Sequence, residues 1–149
     1  MNIKTFFVFE ESKGKNPRIS ISDKFFKTLI DILTGKRTKF RSDLAKSFGF
    51  YLGKLNLEKS DPLVLSLFLL IRKIQLLQPP ENIKTLIYSR AVINKLLSRQ
   101  RSEQSIILKL LFENCYRITF KQNSREEILF RAKNLSLFFE EILLHTNIR

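Results

Sequence analysis

From Phe25 onward, apolar residues return at helical spacing in separate blocks, and capping or helix-breaking residues stand between the blocks. That period suits α-helices, each turning one face to a shared core. Ser22 or Asp23 caps the first block, which carries Phe25, Phe26, Leu29, Ile30 and Leu33 and stops at Gly35. A second helix is predicted from about Thr38 to Leu55. Asp61-Pro62 pairs an N-cap with proline at the first helical position, so a third helix opens there. It runs to about Leu77 and is apolar nearly all round, which predicts a place at the bundle centre. Pro79-Pro80 starts a fourth helix reaching Ser98, and Ser102 caps a fifth from Glu103 to Phe120. Ser124 and Glu127 form a capping box for the last, which ends near His145. The fold class expected is all-α: a single helical bundle of five or six helices behind a short extended N-terminal segment.

Two units follow, residues 1–21 and the bundle 22–149. In the first, Phe6-Phe7-Val8-Phe9 and Ile19-Ser20-Ile21 read as short strands joined by the turn-rich Ser12–Pro17. A lone hairpin is marginal. It leans on the bundle, belongs to a larger partner or is partly disordered. The four Gly and four Pro in 149 residues fall mainly between the periodic blocks, which argues against a many-turned sandwich or barrel. The start, MNIKTFFVFEESKGK, lacks the pattern of a signal peptide. The apolar run Leu63–Ile71 ends at Arg72-Lys73 and is too short to span a bilayer. Cys115 is the single cysteine, so no internal disulfide forms; a reducing, cytoplasmic setting is expected.

Charge narrows the choice of partners. There are 27 Lys plus Arg against 14 Asp plus Glu, a formal net charge of +13. A compact domain so charged repels itself unless an anion sits nearby, and nucleic acid is the commonest such partner. No enzyme site is expected. His145 is the one histidine, read as a residue at a helix C-terminus interacting with the helix dipole. Cys115 reads as a small core residue. Glu10-Glu11, Glu126-Glu127 and Glu140-Glu141 are sequence neighbours, pointing about 100° apart on a helix, and are no acid–base dyads. Neither a phosphate loop nor a nucleophile elbow is present, and no cofactor or metal is expected.

In the second helix Phe40, Leu44, Phe48, Tyr51 and Leu55 share the core face. The opposite face holds Lys39, Ser42, Lys46, Gly49 and Gly53, small enough for a phosphate backbone or another helix to approach. Lys36, Arg37, Lys39 and Arg41 crowd the start of this helix, where free N–H groups add positive potential. Phe50 on the outer side either stacks on an unpaired base or is buried against a neighbouring loop. In the fourth helix Leu86, Ile93 and Leu97 face inward, while Lys84, Tyr88, Lys95 and Arg99 line the outer face, flanked by Arg90 and Arg101. Cations around an aromatic suit a groove that tracks a nucleic-acid backbone. Lys109, Glu113 and Arg117 alternate at i, i+4, as an ordinary ion-pair ladder does. No helix-turn-helix or zinc finger is recognisable, which points to phosphate contact without base reading.

The last helix carries two apolar stripes. Ile128, Ala132, Leu135, Phe139 and Ile142 form a core face, and Phe130, Leu137 and Leu144 repeat every seventh residue on the other side. The second stripe is either wedged between layers of the bundle or a subunit interface.

The stretch Phe25–Phe48, FFKTLIDILTGKRTKFRSDLAKSF, resembles the helical C-terminal region of the large subunit in type I-B CRISPR Cascade, where an apolar helix also ends in a Thr-Gly-Lys-like turn and feeds a basic helix. The resemblance implies a small subunit of such an effector complex, an internal translation product in several systems. It implies copies of itself and larger subunits as partners. The ligands implied are guide RNA, target DNA and the displaced strand, with Lys36, Arg37, Lys39, Arg41 and Lys46 on the backbone; no membrane is involved. A structural RNA-binding ribosomal protein, organellar or not, and an adaptor for an acidic protein are the competing readings.

Overall fold

A computed structural model describes residues 3–10, 18–36, 39–54, 62, 65, 81–99, 102–121 and 124–146; the side chains of residues 39, 81–83, 85 and 86 lie outside the description. Among the described residues the chain is mostly helical. The order is a 3-10 turn (Ile3–Phe6), β1 (Phe7–Glu10), β2 (Arg18–Ile21), α1 (Asp23–Leu33), α2 (Lys39–Gly53), α3 (Glu81–Ser98), α4 (Glu103–Phe120) and α5 (Arg125–Leu144). The all-α bundle expected from the periodicity is what forms. Of the helix expected from Asp61 to Leu77, only Pro62 and Leu65 are described. Both are helical, and Leu65 is exposed rather than central; the remainder of that expectation lies outside the described residues.

Helix α1 starts and stops where its chemistry dictates. Ser22 is the N-cap, its Oγ accepting from the Phe25 N–H at 3.2 Å. At the other end Gly35 has φ +79°, a left-handed conformation costing a side-chain-bearing residue about 1–2 kcal/mol. That turn lets Lys36 N–H reach Asp31 O at 2.9 Å and Gly35 N–H reach Ile32 O at 3.2 Å, a Schellman closure of orphan carbonyls. Between the caps, Phe25, Leu29, Ile32 and Leu33 are buried at i, i+4, i+7 and i+8.

The N-terminal strands pair antiparallel, Phe7 opposite Ile21 and Glu10 opposite Arg18. The hairpin leans on the bundle. Phe6 and Phe7 pack on Phe25 at ring-centroid distances of 4.7 and 5.5 Å, and Phe25 passes the contact to Phe48 of α2 at 5.9 Å. The Ser22 N–H donates to Phe6 O at 2.8 Å, fixing the exit of β2. This aromatic column gives a marginal hairpin the buried face it needs.

Helices α3 and α4 run antiparallel: Asn94 meets Glu113, and Ser98 meets Lys109. Ile93 and Leu97 of α3 and Ile107, Leu108, Leu111, Phe112, Cys115 and Tyr116 of α4 enter the core. Cys115 is fully buried, and desolvation pushes its thiol far above the ordinary range.

Among the described residues, helix α5 packs against each of α1, α2, α3 and α4. It buries the expected Ala132, Leu135, Phe139 and Ile142, and also Phe138 and Leu143. Its N-cap is Ser124, whose Oγ accepts from the Glu127 N–H at 3.3 Å. Across the buried width its polar side chains serve the ends of its neighbours. Asn134 Nδ2 donates to Leu33 O at 2.9 Å, at the end of α1. Arg131 donates to Ile118 O at 2.8 Å, near the end of α4. Glu141 accepts from Arg41 Nε at 2.7 Å and from Ser42 Oγ at 2.9 Å, at the start of α2.

The α2–α5 crossing depends on Gly49. A Cβ there would stand 2.5 Å from the Cβ of His145 and 2.7 Å from the Ile142 carbonyl oxygen. Backbone atoms cannot yield as a side-chain tip can, so the helices must part. Gly49→Ala is expected to cost about 1–3 kcal/mol in urea unfolding; an unchanged midpoint would contradict the close crossing.

Candidate nucleic-acid interface

Lys84, Tyr88, Lys95 and Arg99 lie at intervals that bring all four within a sector of roughly 60° on a helix. All four are exposed, Tyr88 at 69%. Ile93, Leu97 and Ser89 hold the other side of α3 in the core, which orients the basic face outward. Ile87, exposed at 57%, and the exposed Ala91 complete the outer surface. No Asp or Glu occurs in the sequence from Asn82 to Ser102. Lys84, Lys95 and Arg99 have no ion pair among the described residues.

Helix α4 extends this face. Lys109 Nζ donates to Ser98 Oγ at 3.4 Å, bringing a further ammonium to the last turn of α3. Lys109 belongs to the i, i+4 ladder read from sequence and acts electrostatically on Glu113, yet the ladder does not take the carboxylate's hydrogen bonds. Glu113 instead reaches across to α3. There it accepts from Arg90 at 2.8 and 3.4 Å, and from Asn94. A fork of guanidinium N–H groups on a carboxylate outweighs an intrahelical pair worth about 0.2–0.5 kcal/mol. Arg117 turns away as well, over the Phe26 ring at 4.6 Å and onto Asn114 Oδ1 at 2.8 Å.

Arg90, expected on the flank of the nucleic-acid face, is therefore committed to holding α3 on α4. Its hydrogen bond holds the Glu113 carboxyl below the ordinary carboxylate range, with Asn94 adding to the effect. Tyr116, buried close by, has no hydrogen-bond partner for its hydroxyl among the described residues, and desolvation pushes its phenol up.

On α2 the outcome is divided. Lys36, just before the helix, and Lys46 are exposed. Arg41, expected on phosphate, is half-buried and paired with Glu141. Its pairing also offsets a double mismatch with the helix dipoles, a cation in the first turn of α2 and a carboxylate in the last turn of α5. Gly49, on the small face open to a phosphate backbone or another helix, is buried against α5; the second alternative holds there. Phe50 is 53% exposed rather than buried against a loop, with Lys46 Nζ 6.0 Å from its ring centroid. Arg37, Arg101 and the side chain of Lys39 lie outside the described residues.

The second stripe of α5 is also divided. Phe130 is 54% exposed, but the tip of its ring lies 3.1 Å from where a Cβ on Gly35 would stand. Leu137 is half-buried and Leu144 is 74% exposed. His145 is the C-cap of α5, its N–H bonded to carbonyls of the preceding turn. Among the described residues no group of three metal-ligating side chains occurs, and no helix is long and apolar enough to cross a membrane.

A carboxyl held below its ordinary range stabilises the fold above that range, and the contribution is lost as pH falls through the lowered value. Glu113→Gln is thus expected to cost roughly 0.5–1 kcal/mol at neutral pH. The gap to wild type should close at acid pH, as the carboxyl takes up its proton below the ordinary carboxylate range. Denaturant titrations at both pH values check this, and a gap independent of pH would contradict the pairing.

No protein-family model, curated protein or solved structure matches the chain.

Proposed function

We propose that this chain is a non-catalytic subunit that holds nucleic acid by its phosphate backbone without reading base sequence. The observation carrying the proposal is the outer face of α3, where Lys84, Lys95 and Arg99 stand free of acids and Lys109 of α4 joins them. Hydrated cations of this kind displace condensed counterions from a polyanion, and the gain falls with salt. Four such contacts correspond to a slope of log affinity on log salt of about −3 for a single strand.

The setting we propose is a type I CRISPR effector complex, with this chain as its small subunit beside larger subunits and copies of itself. The resemblance of Phe25–Phe48 supports that setting. Within that stretch Lys36 and Lys46 are exposed while Arg41 is engaged by Glu141, so α3 is the principal backbone contact in this reading. Guide–target pairing would then supply the sequence specificity that a phosphate-gripping surface lacks.

Fluorescence anisotropy with a mixed-sequence oligonucleotide across a salt series tests the proposal. Lys95→Glu combined with Arg99→Glu should weaken binding for every sequence and flatten the salt slope by about 1 per cation. An unchanged slope, or stronger binding to an acidic polypeptide than to any nucleic acid, would contradict it.

A further inference from the structure

We infer that the nucleic acid held on this face is single-stranded, and that an unpaired base stacks on Tyr88. The inference rests on the α3 reading and names its ligand class. A surface that only grips phosphate needs cations, and it gains nothing from large apolar side chains standing in water. Yet Tyr88 and Ile87 are exposed large hydrophobic side chains among those described on α3; Tyr88 sits within the cation stripe and Ile87 lies beside it. Lys84 lies one turn before Tyr88, about 6 Å along the axis, and Lys95 about 10 Å beyond it. Ala91, exposed one turn after Tyr88, is too small to cover the ring.

A duplex keeps its base faces stacked inside and offers the stripe phosphates alone, which leaves Tyr88 and Ile87 unused. An unpaired nucleotide offers both parts: its base covers the ring while its phosphates meet the lysines. The stacking is tolerant of sequence, because every base has a π face.

The same order of residues occurs on a second helix. On α2, Lys46, Phe50 and Lys54 follow one another at single-turn intervals; both lysines are exposed and Phe50 is half open to solvent. Asp43, exposed one turn before Lys46, is the acid on that side of the helix. Helix α2 packs chiefly on α5, whereas α3 packs chiefly on α4. Phe50 thus offers a second stacking position, on a helix other than the one bearing Tyr88.

The test compares oligothymidylate with a mixed-sequence duplex of equal length, using the full chain and its Tyr88→Ala and Tyr88→Phe variants. Tyr88 is exposed, so both variants should unfold at the wild-type temperature. The expected result is a preference for the single strand that Tyr88→Ala reduces by roughly 5- to 150-fold and Tyr88→Phe preserves. Duplex affinity and the salt slope should stay unchanged. Equal affinity for both ligands, or no effect of Tyr88→Ala on the single strand, would overturn the inference and leave the α3 reading standing if binding still weakens with salt. Absence of salt-sensitive binding to either ligand would overturn both.

Discussion

A helix leaves amides unpaired at its start and carbonyls unpaired at its end, and a bundle that buries those ends must supply partners from elsewhere. In this protein α5 supplies partners for two such carbonyls and a carboxylate for side chains at the start of a third helix. Asn134 takes the Leu33 carbonyl of α1, Arg131 takes the Ile118 carbonyl of α4, and Glu141 takes Arg41 and Ser42 at the start of α2. The same helix buries Phe138 and Phe139 among its neighbours and closes on Gly49. Apolar packing provides most of the stabilisation, but it is non-directional. The hydrogen bonds fix which helix end meets which turn of α5, and so help set the orientation of α1, α2 and α4.

That arrangement also decides where positive charge remains available. Among the described residues, cross-element pairs join Glu141 to Arg41, Glu113 to Arg90, and Glu103 to Lys4 of the N-terminal turn. The first two hold helices together and withdraw Arg41 and Arg90 from the surface charge. The cations of the α3 face have no such partner among the described residues, and they are oriented outward because Ile93 and Leu97 anchor the opposite side. The excess of 27 basic over 14 acidic residues is therefore uneven in its effect. Some cations serve the fold, and those on α3 are free to meet an anion.

Much of the fold was legible in the sequence, because its signals are local. Ser22, Ser102 and Ser124 cap the helices they were expected to cap, Gly35 ends α1, and the alternation around Ile19-Ser20-Ile21 forms a strand. The outer face of α3 was legible for the same reason, since helical spacing alone sorts its residues. What depended on tertiary partners was not. Lys109, Glu113 and Arg117 have ladder spacing, but spacing gives no account of an antiparallel neighbour offering a guanidinium fork. A clue was available: the short connection from Ser98 to Glu103 makes α3 and α4 antiparallel and brings Glu113 opposite Arg90 and Asn94. Gly49 signalled a close approach without naming what approaches. The stripe of Phe130, Leu137 and Leu144 divides, with Leu137 half-buried between two exposed members, and its seven-residue spacing alone gives no sign of that.

The proposal that this bundle grips nucleic-acid backbones inside a CRISPR effector complex is tested most directly by recovering the tagged protein from its own cells. Mass spectrometry would identify its partner chains, and sequencing would identify the bound nucleic acid. The account predicts short guide RNAs together with larger effector subunits, released as the salt of the wash is raised. Recovery of ribosomal RNA with ribosomal proteins, or of an acidic protein and no nucleic acid, would contradict it.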